Sequence, residues 1–178
     1  MDSMDKDIRD ITTADFGLKD YRRMFDLSAD DLNLRILDCQ GIHTHFSDDL
    51  KAVISKSTIT ACDPTQLPKL PYDNEQFELA LVSHYLFTLT ENQSLAYHIA
   101  SIEELVRVAN EVRIFPLVNR AGVLSSLVGD IVAQLQSDGF GVELRAVPYE
   151  IQPHGNAMLR IWAPECHLEA HKAGMNKA

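Results

Sequence analysis

Positive charge is scarce in this chain. Sixteen lysines and arginines stand against 26 aspartates and glutamates, a net charge of −10. Such a surface repels polyphosphate, and its densest basic spot, Arg22-Arg23, is flanked by Asp20 and Asp26. Nucleic acid is therefore not an expected partner. Cysteine is scarce too: Cys39, Cys62 and Cys166 form an odd, sparse set with no CxxC, which argues for reduced thiols and a cytoplasmic location. Long apolar runs are missing. The most apolar region, Ile114 to Leu135, is interrupted by Asn119, Arg120, Gly129 and Asp130, so no membrane span is expected. The opening Met-Asp-Ser-Met-Asp-Lys-Asp is too acidic for a secretory signal. Glycine is sparse, with 8 in 178 residues and no G-x-G-x-x-G, which disfavours a dinucleotide-binding oxidoreductase.

What is present suffices for one packed domain: 46% of the residues are hydrophobic. Residues 1–17 read as a poorly ordered arm, 18–162 as the domain, and 163–178 as a polar tail. The order along the domain alternates. A short helix is expected at Leu18–Phe25, with Ser28-Ala-Asp-Asp capping a second turn. A strand buried on both faces follows at Leu34–Asp38, a helix at Phe46–Ser55, and strands at Thr58–Cys62 and Phe77–Ser83. Thr90-Glu-Asn-Gln93 has the form of a capping box ahead of Leu95, Ile99, Ile102 and Val106. Val112–Val118 is β-rich. Val123, Leu124, Leu127, Val128, Ile131 and Leu135 make one helical stripe, with Gly139 as terminator. Phe140–Val147 and Ala157–Trp162 read as a closing antiparallel hairpin around Pro153-His-Gly-Asn156. Alternation predicts an α/β fold: a single-domain, doubly wound, mostly parallel sheet with helices on both faces.

The stretch Arg35-Ile-Leu-Asp-Cys-Gln-Gly-Ile-His-Thr-His-Phe46 carries the most chemistry. A buried strand ends in Asp38 and a turn holding Gly41 follows, as a first strand and its cofactor loop do in such folds. Three further segments join it: Ala61-Cys-Asp63, the run Leu70-Pro-Tyr-Asp-Asn-Glu-Gln-Phe-Glu-Leu-Ala-Leu81, and the terminal hairpin. Together these resemble the class I S-adenosylmethionine-dependent methyltransferases over roughly residues 18 to 162. Tyr21–Phe25 and Ser83-His84 are similar to a bacterial subgroup of them.

The resemblance implies S-adenosylmethionine as small-molecule cofactor. Asp38 to His43, with Gly41 inside, would pass under its amino acid end, and Asp63 would take the ribose hydroxyls. A carboxylate suits that second role, since it accepts two hydroxyl hydrogen bonds. Tyr21 would close over the cofactor, and Ser83 and His84 would stand at the carboxyl edge of the sheet. His84 is the candidate catalytic base, for an acceptor that no residue names. Each has a plainer reading: Asp38 as a helix cap, Tyr21 as a half-buried phenol, Ser83 and His84 as satisfiers of backbone groups. The resemblance thus implies an enzyme, an S-adenosylmethionine-dependent methyltransferase acting on an unidentified acceptor; the alternative is a catalytically inactive interaction protein that has lost cofactor binding through Gln40 and Ile42.

Two departures support that alternative. Gln40 and Ile42 stand where the family pattern has glycine, and Ile with positive φ would be an outlier. Only 13 residues separate Asp63 from Phe77, too few for a helix and a strand, so an edge strand should be missing. Asp63 then ends the second strand, although Leu67-Pro68 also fits the spacing after a third. A lost edge strand would leave backbone groups free, which favours a homodimer. His43-Thr-His45 invites a metal reading, also found at the opening of amidohydrolases, but their (β/α)₈ barrel needs about 250 residues. With only Asp48 and Asp49 nearby it reads as a polar loop. Cys166, His167 and His171 read as solvated tail residues.

Overall fold

The computed structural model describes residues 16–164; the rest of the expected arm and tail, with Cys166, His167 and His171, lies outside the described residues. Its elements are α1 (Leu18–Met24), β1 (Arg35–Gln40), α2 (Phe46–Val53), β2 (Thr58–Cys62), β3 (Phe77–Ser83), α3 (Leu95–Val108), β4 (Ala109–Phe115), α4 (Val128–Ser137), β5 (Gly141–Ala146) and β6 (Ala157–Trp162). Short 3₁₀ turns lie at Asp31–Asn33 and Pro64–Gln66.

One six-stranded sheet results, ordered β2-β1-β3-β4-β6-β5. The first four strands pair in parallel, and β6 runs antiparallel between β4 and β5. This is the doubly wound, methyltransferase-like sheet with its closing hairpin, less one edge strand. Because β2 pairs with β1 and is outermost, Asp63 ends the second strand. The 13 residues after it form a 3₁₀ turn and a loop whose Leu67 and Leu70 are buried.

Side-chain alternation along each strand splits the core into two layers. Leu37 and Cys39 face α3 and α4, together with Ile102, Leu105, Ile131 and Leu135. Ile36 faces α1 and α2, against Tyr21, Met24, Phe46 and Leu50. Tyr21, Met24 and Phe25, spaced i, i+3, i+4, put the apolar side of Tyr-Arg-Arg-Met-Phe onto the sheet and leave both arginines exposed. Asp49 of α2 accepts from the Leu18 amide at 3.0 Å, so α2 caps the start of α1.

Two expected helix starts move. The cap of α3 is Ser94, whose hydroxyl accepts from the Tyr97 amide; the Thr90 hydroxyl instead donates to the Tyr85 and Leu86 carbonyls. Val123 and Leu124 are 59% and 60% exposed and precede α4, because the Asn119–Gly122 turn pairs Leu124 back on Val118. Gly139, at φ +89, stands directly after the C-cap of α4, where the left-handed region suits glycine.

Candidate functional site

The strand order reverses between β1 and β3, the place where such sheets open a ligand crevice at their carboxyl ends. Alternation brings Asp38 and Ser83 to the same face there, beneath Tyr21 of α1. The Tyr21 hydroxyl donates to Asp38 Oδ1 at 3.1 Å and shares a 3.0 Å hydrogen bond with Ser83 Oγ. The Gln40 amide donates to Asp38 Oδ2. All but Gln40 are fully buried. Burial pushes the Asp38 carboxyl up to about 6, against the pull of the Gln40 and Tyr21 hydrogen bonds. Burial, and then the Asp38 charge, push the Tyr21 phenol well above its ordinary range. At neutral pH the cluster is thus a sealed carboxylate held by neutral donors.

His84 directly follows β3 with φ 51, and its amide donates to the Phe115 carbonyl at 2.8 Å. Its ring stacks on Phe16 at 4.8 Å and meets Phe115 edge-on. Neither ring nitrogen has a partner among the described residues, and burial drives its pKa down to about 4. It is a neutral imidazole in an aromatic sandwich.

The loop after β1 takes an unexpected course. Neither Gln40 nor Ile42 has positive φ. Gly41 continues the ladder, its amide donating to the Ser83 carbonyl at 2.7 Å. A Cβ on Gly41 would lie 2.1 Å from the His84 carbonyl oxygen. The glycine is needed, but for an approach of protein backbone to protein backbone. Ile42 packs half-buried into the α1/α2 layer, and Phe46 stacks on Tyr21 at 4.1 Å. Asp63 stands apart and exposed; Thr65 donates to its Oδ1 from both amide and hydroxyl, which lowers its pKa.

The fit to S-adenosylmethionine can be judged from these contacts. Its amino acid end needs a reachable Asp38 and open backbone donors after β1. Here Asp38 is enclosed, Ser83 is engaged by Tyr21, and the Gly41 amide is spent on Ser83. The residues around Asp38 do not fit that end of the cofactor as they stand. The Asp63 carboxylate alone remains open, and we derive no chemical step through the group.

Sequence reasoning missed the roles of three residues, one in the Asp38 cluster, one against His84 and one beyond the site. Gln40 was counted as a defect, yet it sits two residues from Asp38 on the same strand face, a spacing that announces the contact. Phe16, left in the arm, is buried, and its carbonyl accepts from the His45 amide at 2.7 Å. Arg113 is 5% exposed and joins Asp31, Glu111 and the Phe25 carbonyl. His43 and His45 are exposed and meet edge to face, and among the described residues no group of three metal-binding side chains gathers.

No family model matches the chain. It is 29% identical to an uncharacterized protein of Methanocaldococcus jannaschii over 97 residues, 54% of this chain and 42% of that protein. The match thus spans less than half of that relative. Among solved structures, it is similar to the N-methyltransferase NodS of Bradyrhizobium japonicum in complex with S-adenosyl-L-homocysteine, at TM-score 0.47 and 12% identity, over 83% of this chain and 85% of that one. A methyltransferase from Aquifex aeolicus aligns at TM-score 0.45 and 14% identity, covering 80% and 91%. The pyocyanin biosynthetic protein PhzM aligns at TM-score 0.47 and 12% identity, covering 80% and 54%. The fold assignment itself rests on strand order and direction.

Proposed function

We propose that this chain is a non-catalytic interaction protein on a methyltransferase-like fold, its cofactor crevice filled by its own side chains. One observation carries the reading: a Cβ on Gly41 would lie 2.1 Å from the His84 carbonyl oxygen, so the loop after β1 lies directly against the chain leaving β3 and no gap opens between them there. The Tyr21–Asp38–Ser83 cluster and the Phe16–His84 stack complete the plug. The interaction surface fits the groove of about 680 Å³ between α1 and α2. Leu18, Leu27, Ala52 and Val53 give it apolar walls, and its three cations, Lys19, Arg22 and Arg23, outnumber its one acid, Asp49, on an otherwise acidic chain. Charge complementarity selects an acidic segment with an apolar side.

Isothermal titration with S-adenosylmethionine and S-adenosylhomocysteine tests the reading. No heat at millimolar ligand is expected, and micromolar binding of either sulfur compound would overturn it. The second reading, a cofactor-dependent methyltransferase, draws on the exposed Asp63 and on two ring nitrogens of a buried His84 left without partners. Micromolar binding would favour it.

A further inference from the structure

Cys39 and Cys62 are register partners in the β1–β2 pair, so their side chains leave the same face of the sheet. Both thiols are free and buried, and the Cys62 thiol is near enough to Cys39 to help raise its pKa. Paired residues on neighbouring strands lie about 4.8 Å apart, within the span of roughly 4.4–6.8 Å that a disulfide bridges. The pair lies next to Asp38 on one strand and Asp63 on the other. Tyr72, on the loop replacing the missing helix and strand, and Tyr85 lie near it; burial first, then the thiols, push the Tyr72 phenol up.

We propose that Cys39 and Cys62 are a dithiol–disulfide switch, oxidised by a peroxide-class oxidant, that bolts edge strand β2 to the sheet. Cys62 reacts first, because it is 7% exposed while Cys39 is fully enclosed. Burial, then the Cys62 contact and the Asp38 charge, push the Cys39 thiol well up and keep it protonated. The Cys62 thiol gives up its proton, the thiolate attacks one oxygen of hydrogen peroxide, the O–O bond breaks, and the departing hydroxide takes up that proton and leaves as water while a sulfenic acid forms. The Cys39 sulfur then attacks the Cys62 sulfur. The S–S bond forms, the S–O bond breaks, and the hydroxide leaves as water with the Cys39 proton. Two thiols lose two electrons in all, and one peroxide becomes two waters. In the sheet β2 pairs with β1 alone, so the covalent link acts where the fold is held by a single neighbour.

Peroxide treatment of the full chain, followed by alkylation, non-reducing tryptic digestion and mass spectrometry, tests this. The expected product links peptide 36–51 to peptide 57–69, less two hydrogens, and dithiothreitol separates them. Cys166, in peptide 161–172, should stay alkylatable. In Cys39→Ser, a sulfenic acid on Cys62 should be trapped by dimedone. In the oxidised protein, β2 amides should exchange hydrogen more slowly than in the reduced one. A Cys62–Cys166 link, a link between chains, or sulfinic acid on Cys62 with Cys39 still alkylatable would overturn the pairing. Unchanged exchange with the link in place would overturn its locking role.

Discussion

At the scale of single residues, Asp38 and His84 are both fully buried, and burial moves their pKa values in opposite directions. The Asp38 pKa rises from 3.8 to about 6, so the folded chain binds its proton more tightly, and stability falls as pH rises through that window. The His84 pKa falls from 6.5 to about 4, so the unfolded chain binds its proton more tightly, and stability falls as pH drops through that window. Each effect is on the order of 3 kcal/mol at the far side of its window, and the two oppose. Urea unfolding at a series of pH values separates them. Relative to the parent, Asp38→Asn should lose stability on acidification from pH 6 to pH 4. His84→Asn, which keeps a side chain tolerant of positive φ, should gain it. Parallel curves for all three proteins would remove the buried-charge account. Gly41→Ala is a second residue-scale test: backbone must yield around the new methyl, at a cost of about 1–3 kcal/mol. A neutral Gly41→Ala would mean the loop stands clear of β3. Strand ends announced Asp38, Ser83 and His84 as one neighbourhood, and the methyltransferase resemblance added Tyr21 and the loop with Gly41. The sequence did not announce that their partners would be one another, since hydrogen bonds between distant positions leave no local pattern.

At the scale of elements, the strands were the most legible part. Thr58–Cys62, Phe77–Ser83 and Ala157–Trp162 have the expected bounds, because β-rich runs flanked by turn residues leave little choice of register. Helix starts were less so. The apolar pair Val123-Leu124 has the right spacing for α4, but the Asn119 side chain accepts from the Ala121 and Val123 amides and turns the chain there. In the link from α1 into β1 the Ser28-Ala-Asp-Asp turn was legible, with Ser28 Oγ accepting from the Asp31 amide and Asp31 accepting from the Ser28 amide, but the cation that anchors it was not. Arg113 on β4 holds it, with Nη1 on the Phe25 carbonyl at 2.9 Å and on Asp31 at 3.1 Å, and Nε on Glu111 at 2.7 Å. Arg113→Ala should cost about 3–5 kcal/mol, since it leaves Asp31 and the Phe25 carbonyl without their cation, while Glu111 keeps Arg160 at 2.7 Å. Arg145→Ala, which breaks exposed pairs with Asp26 and Glu143, should cost under about 1 kcal/mol. Chemical denaturation of both variants checks the contrast, and similar midpoints would place the anchor elsewhere.

At the scale of the whole molecule, two departures from the methyltransferase pattern support one another. The loop after β1 is stitched to the end of β3, and the layer beyond β2 is reduced to a 3₁₀ turn and a loop. A cofactor lying across the carboxyl ends would need both the loop beneath its amino acid end and walls beyond Asp63. Restoring glycines at positions 40 and 42 frees Asp38 of Gln40 and removes the Ile42 side chain. It leaves Gly41 hydrogen-bonded to Ser83, Tyr21 over Asp38, and the outer wall absent. The Gln40→Gly, Ile42→Gly double variant should therefore remain unable to bind. Thermal unfolding gives a sensitive measure: a ligand at about 1,000 times its Kd stabilises the folded state by about 4 kcal/mol. For a domain of this size that raises Tm by roughly 10 °C. Millimolar S-adenosylmethionine should leave Tm unchanged for both the parent and the double variant. A rise in the double variant alone would locate the whole defect in Gln40 and Ile42 and make the missing edge strand irrelevant to binding.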